Sequence, residues 1–279
     1  MVEGEVERPA GAMARPAPGW QQRLVVRGGP ALVFVGLLVL WEAAVVVFRV
    51  PRVILPAPSV VLGQIVSNPG FLLSQASTTL LEVLLGFALS LVIGIPLAVL
   101  IVSSRFLENT FYLLLAVMNS VPKVALAPLF IIWVGTGLPP KVAIALMIAI
   151  FPIVIDTVIG LRSVPPEMLD LARSMGASYR KVFWKIRFPA ALPSIFGGAK
   201  VAMSLAIVGA IVGEFVGADR GLAYVILTSQ GSFNTPRMFA ALAVLSVMGV
   251  VLFYAVDFME RRMLPWHVSH RGEAVGQSE

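Results

Sequence analysis

The side chains able to do chemistry are few and widely spaced. None of the 279 residues is cysteine, so a disulfide framework, a Cys-based zinc site and a thiol nucleophile are all excluded. The two histidines, His267 and His270, stand in a short C-terminal tail with no carboxylate or third histidine at ligand spacing. They read as a solvated tail, not a metal site. The run GTGLPPK (135–141) has the outline of a phosphate loop, but Pro140 stands where the second glycine must be and Val142, not Ser or Thr, follows Lys141. No Ser/His/acid set appears, so no catalysis, and no ATP hydrolysis, is expected of this chain. What remains is a set of acids inside apolar sequence: Glu42, Glu82, Asp156 and Glu214. An ionisable group at membrane depth is a functional hypothesis by default. Glu214 either serves a pathway or lies at the interface, solvated or paired with Lys200 or Arg220. Glu42 is close enough to the middle of its run to need a partner.

These residues need elements to hold them, and the composition says which kind. The chain is 58% hydrophobic and 13% charged, against about 25% charged for soluble domains; its mean hydropathy is +0.91. That is too little polar surface for a water-soluble globule. The expected fold is all-α, a polytopic transmembrane bundle in one domain. A helix satisfies its own backbone in lipid, and the apolar runs are too long and too uniform for barrel strands. About six such runs can be marked, at 30–50, 79–102, 110–134, 141–161, 194–216 and 239–258. The net charge of +6 then reports topology and anionic lipid, not nucleic acid. With six spans, the basic residues of the N-tail, Arg105, the 163–193 loop and the C-tail all fall on one side. Both termini are therefore expected in the cytoplasm, with residues 1–29 and 261–279 as tails around a 30–260 membrane domain. Residues 1–29 read as a flexible tail, not a cleaved signal peptide.

One long polar interruption, 165–193, divides the greasy sequence. Ser163, early prolines and Glu167 are helix-start signals. Met168, Leu171, Ala172 and Met175 fall at i, i+3, i+4 and i+7, an apolar stripe that ends at Gly176. Ser178 can cap a second helix, in which Tyr179, Val182, Phe183 and Ile186 repeat the spacing opposite Arg180, Lys181, Lys185 and Arg187. Pro189 and Pro193 are expected to break this helix before the fifth span. Two physical readings stand: a hairpin resting on anionic lipid, or one that docks into a partner's groove.

The loop resembles the cytoplasmic signature of ABC importer permeases: Glu-Ala-Ala, three residues, Gly, nine residues, Ile, one residue, Leu-Pro. Asp170, Leu171 and Ala172 stand at the first three positions, Gly176 and Ile186 match in spacing, and Phe188 and Pro189 fill the last pair. Asp for Glu, Leu for Ala and Phe for Leu are mild departures. The segments LPAPSVV (55–61), TTLLEVLLGFALSLVIGIPLAVL (78–100), NSVPKVALAPLFIIWVGTG (119–137), FPIVIDTVIGL (151–161) and VGEFVGADRGLAYVI (212–226) extend the likeness to the nitrate, sulfonate and taurine branch.

The resemblance implies a permease subunit of the inner membrane. By it, two permease subunits, expected to be identical, form the pathway. Separate ABC ATPase subunits carry ATP and magnesium, and a soluble binding protein delivers a small solute: an anion such as nitrate, a sulfonate or taurine, or a related small organic molecule. Glu167, Asp170, Leu171, Ala172, Gly176, Ala177, Ile186 and Pro189 would form the coupling loop. Pro122 and Pro128, flanking Lys123, would mark a pathway or gate, or a plain kink. Glu214 is a third pathway candidate. Gly209, Gly213 and Gly217 form small-xxx-small steps for close helix packing, within the subunit or across a dimer. The rival from another class is a self-sufficient carrier or channel, which would need an ion-coupling site and inverted repeats; the acids show no such clustering.

Overall fold

The computed structural model describes residues 20–104, 106, 107, 110 and 121–265. Most of both expected tails, His267, His270, Arg105 and the first half of the third apolar run lie outside the described residues. All regular structure among the described residues is helical. In chain order it comprises α1 (Trp20–Val47), α2 (Pro58–Ser67), α3 (Pro69–Ser103), a 3₁₀ turn (Lys123–Leu126), α4 (Ala127–Val134), α5 (Leu138–Arg162), α6 (Pro166–Ser174), α7 (Tyr179–Gly217), α8 (Leu222–Gly231) and α9 (Thr235–Met263).

Helices α3, α5, α7 and α9 are long and apolar enough to cross a bilayer. The first and third apolar runs are represented by shorter stretches, Leu32–Val47 within α1 and Lys123–Val134. The described residues thus account for four crossing helices of the six expected. Pro96, Pro152 and Pro193 lie inside α3, α5 and α7 without ending them, as membrane helices tolerate.

The bundle is organised around α5. It buries 56% of its most apolar window, against 28% for α3 and for α9, and it packs between α3 and α7. Close approach there depends on residues without bulk. A Cβ on Gly209 of α7 would stand 2.5 Å from the Ala145 Cα, and one on Gly86 of α3 would meet the Ala145 side chain from the other flank. Ala145 is itself fully buried. Without a hydrophobic drive between helices in lipid, such contacts and buried polar bonds hold the bundle.

At the end of the bundle opposite α6, α2 and α8 pack on α3 and α9 around Leu72, Leu222, Val225 and Leu245. Thr235, at the start of α9, donates to the Val53 carbonyl at 2.6 Å. Nearer the α6 end, Lys200 of α7 bridges Asp257 and Glu260 of α9, each at 2.5 Å. Arg261 closes on Asp257 at 2.9 Å.

Candidate functional site: the hairpin and the buried polar clasp

Helix α6 and the first turns of α7 form a hairpin between the two most buried spans. Pro165 occupies the N-cap of α6, with Pro166 and Glu167 in its first turn. Ser163 does not serve there: its amide and hydroxyl both donate to the Gly160 carbonyl, at 3.2 and 2.8 Å, so it closes α5 instead. Helix α6 ends at Gly176, φ +74°. The Gly176 N–H donates to Arg173 O at 2.9 Å and the Ala177 N–H to Ala172 O at 3.0 Å, the paired bonds of a left-handed helix stop. Ser178 holds the N-cap position of α7, though its side chain makes no capping bond.

The hairpin has two apolar faces. Leu169, Val164 and Val182 are buried against each other, with Ala172, Ala177 and Ile186 packed on them. Met168, Leu171, Met175 and Tyr179 point away and are exposed by half or more. The stripe read from the sequence therefore divides. Ala172 turns inward with Leu169, which the sequence reading left out, and the other three remain outside. Asp170 pairs with Arg173 at 2.9 Å on the surface, where such pairs contribute little. Arg180, Lys181 and Lys185 are exposed.

Pro189 and Pro193 do not break the second helix. Tyr179–Gly217 runs unbroken over 39 residues, with a π-helical turn at Phe183–Arg187 immediately before Pro189. A proline removes one donor and crowds the carbonyl four residues back. A locally widened turn accommodates both. The hairpin is thus continuous with a membrane-spanning helix.

At the other end of α7, Glu214 is 1% exposed and caps α8. One carboxylate oxygen accepts from the Ala223 and Tyr224 amides at 2.7 and 3.2 Å; the other accepts from the Thr79 hydroxyl at 2.5 Å. Thr79 in turn accepts from the Leu222 amide at 2.8 Å, and Gln75 from the Gly221 amide at 2.7 Å. Four consecutive N–H groups at the start of α8, left orphaned by helix geometry, are thereby satisfied from α3 and α7, and the carboxylate meets the positive end of the helix. Gly221 has φ +117°, and a Cβ there would collide with the Glu214 carboxyl.

Beside this clasp Lys141 of α5 bonds Glu82 of α3 at 2.8 Å, both side chains almost wholly buried. A cleft of about 400 Å³ adjoins the pair, lined among others by Ser77, Thr78, Asp219 and Arg220. Neither Lys200 nor Arg220 is the partner of Glu214. The sequence carried a signal for this site in the i, i+4, i+7 spacing of Gln75, Thr79 and Glu82, a polar stripe on an otherwise greasy helix. Glu42 caps α2 in the same manner, accepting from the Ser59 amide at 2.9 Å and its hydroxyl at 2.7 Å.

The three glycines of α7 face their own subunit: Gly209 meets Ala145, Gly213 meets Lys141 and Gly217 meets Ile131 of α4. Pro122 immediately precedes the 3₁₀ turn and Pro128 lies in the first turn of α4, so among the described residues each stands at the start of a helical segment. Lys123 lies 4.0 Å over the Phe151 ring.

Residues 90–265 match the family described as binding-protein-dependent transport system inner membrane component. The formylaminopyrimidine transport permease of Halalkalibacterium halodurans is 35% identical over 85% of this chain and 95% of its own. The riboflavin transport system permease of Chloroflexus aurantiacus is 38% identical over 84% and 88%. A putative aliphatic sulfonates transport permease of Bacillus subtilis is 27% identical over 91% and 90%, and taurine and nitrate permeases also match. Among solved structures, a chain of the inward-facing MetNI methionine ABC transporter superposes with a TM-score of 0.62 at 22% identity, covering 69% of this chain and 95% of that one; the fold is the same.

Proposed function

The chain belongs to the family of binding-protein-dependent transport system inner membrane components and is an integral membrane permease subunit of an ABC importer; from that premise we propose how it is driven and what it carries. The hairpin is the docking element for a cytoplasmic ATPase, with Met168, Leu171 and Met175 seated in the ATPase's groove and Gly176 setting the turn. The observation that carries this is the second, outward apolar face of the hairpin, unneeded for the hairpin's own packing. An amphipathic helix presenting such a face suits groove recognition. The hairpin and both termini lie in the cytoplasm; α2, α8 and the adjoining cleft lie outside, toward the binding protein. A second copy of this chain completes the pathway.

The connectivity supplies the lever. Tyr179 and Glu214 belong to one helix and are separated by about 50 Å at 1.5 Å per residue. A displacement of the hairpin by ATP-driven closure of the ATPases moves α5 and α7 together, since both run directly out of it. At the far end of α7 the movement reaches the Glu214 clasp and with it α8. ATP acts on the pathway only through its different affinity for the two states of the ATPases, to which the two hairpin positions are coupled.

For the solute, the relatives at 35% and 38% identity carry names of nitrogen heterocycles, and those named for sulfonates, taurine and nitrate stand at 24–28%. This favours a heterocyclic organic solute over a small anion. Uptake assays in cells carrying the complete importer, with labelled formylaminopyrimidine, riboflavin and taurine in parallel, test it. Accumulation of either heterocycle supports the reading; accumulation of taurine alone overturns it in favour of the anion.

A further inference from the structure

Six acids lie on α1, α3, α5, α7 and α9 among the described residues: Glu42, Glu82, Asp156, Glu214, Asp257 and Glu260. Five are held. Glu42 is met by Ser59, Glu82 by Lys141, and Glu214 by Thr79 and the start of α8. Asp257 and Glu260 are met by Lys200. Asp156 alone has neither hydrogen bond nor ion pair among the described residues, although it is half-buried on the most enclosed span.

Asp156 sits where α5 and α7 pack closely, next to an exposed position of α7. Asp156 leans over Gly198 of α7, so that a Cβ on Gly198 would stand 2.9 Å from the Asp156 Oδ2 and 2.9 Å from the Pro152 carbonyl oxygen. The preceding residue, Gly197, is exposed with open space beside it. The Asp156 carboxylate and the Pro152 carbonyl oxygen, both acceptors, stand at the buried Gly198, one residue along α7 from this open position. Turned toward hydrocarbon, an unpaired aspartate within a span costs about 2.5–3.5 kcal/mol or more; such residues face the bundle interior or water.

We propose that Asp156 lines the solute pathway and selects for solutes that present a hydrogen-bond donor or positive charge, such as an amino group or ring N–H, against small anions. The inference rests on the importer reading and deepens its solute class. A carboxylate in a narrow, partly desolvated passage repels an anion and rewards a donor far more than it would in bulk water.

The chain has no cysteine, so a single thiol reports cleanly. In the assembled importer in membrane vesicles, Gly197→Cys places a thiol one residue along α7 from the Asp156 contact, in space that is open. Its reaction rates with a cationic (trimethylammonium-ethyl) and an anionic (sulfonato-ethyl) methanethiosulfonate are measured, with Val92→Cys on the apolar surface of α3 as comparison. Reaction of Gly197→Cys with both reagents, faster than Val92→Cys, is expected, with the cationic reagent favoured. Adding Asp156→Asn should reduce the cation-to-anion rate ratio about tenfold, within the range by which a charged cleft concentrates ions. A Gly197→Cys thiol that ignores both water-soluble reagents, or a ratio unchanged by Asp156→Asn, overturns the proposal. Because no solute is used, these outcomes are independent of the uptake assays that test the heterocycle reading.

Discussion

The Thr79 hydroxyl donates to the Glu214 carboxylate at 2.5 Å, joining α3 to α7 across 135 residues of sequence at the point where both hold α8. The bond places an acid at membrane depth without leaving it unpaired. It also makes the first turn of α8 dependent on two spanning helices at once.

Removing the acid should therefore undo the cap. Glu214→Ala strips the acceptor from a buried amide, a part-buried amide and a buried hydroxyl, and each buried donor left unpaired costs about 1–3 kcal/mol. A clear drop in the thermal midpoint of the detergent-solubilised importer is expected, with a smaller drop for Glu214→Gln, which keeps one acceptor oxygen. Midpoints equal to the parent's would refute the structural role.

The Glu82–Lys141 pair predicts that replacing both partners costs less than replacing one. Lys141→Met leaves Glu82 buried alone and should destabilise by about 3–5 kcal/mol, whereas Glu82→Leu combined with Lys141→Met should recover most of the loss. A double-mutant cycle on the denaturation midpoint measures the coupling. Additive losses would argue that the two side chains act separately.

Close packing on α5 makes a contrast between glycines. Gly209→Val forces bulk onto the Ala145 backbone, and overpacking of this kind costs about 1–3 kcal/mol or more. Gly63→Ala on α2 meets open space and should be neutral or better. Membrane yield and a monodisperse gel-filtration peak distinguish them; equal behaviour would contradict the packing.

The turn of the hairpin tests coupling apart from folding. Gly176 sits at φ +74° and its N–H is bonded, so Gly176→Pro satisfies neither requirement. Asp170→Lys reverses an exposed charge. Both are expected to abolish uptake with membrane insertion intact, read as transport against immunoblotted membrane level. Normal uptake in both would remove the hairpin from the mechanism.

Much of this was legible in the residues. The Gly176 stop, the hairpin and the four longest spans follow from spacing, capping chemistry and hydropathy. The hidden parts are those where one pattern serves two environments. Met168, Leu171, Ala172 and Met175 form a single helical stripe, and periodicity does not say that Ala172 packs inward with Leu169 while its neighbours stay outside. Pro189 and Pro193 read as breakers because neither the π-turn ahead of Pro189 nor the tolerance of the spanning helix for Pro193 leaves a mark in composition. The partners of Glu214 come from Thr79 and the start of α8, brought together by tertiary packing, which local spacing does not encode. Lys200, weighed as a partner for Glu214, instead bridges two acids on α9 from a position far along the chain.

The account turns on the outward face of the hairpin, and Leu171→Asp reaches it most directly. Leu171 is 62% exposed and takes no part in the hairpin core, so the substitution should leave the fold and membrane level unchanged. The measurement is co-purification of the ATPase with the permease in mild detergent, parent against variant. Loss of the ATPase from an intact, membrane-inserted Leu171→Asp permease is the predicted result; full retention of the ATPase would contradict the coupling role assigned to this face.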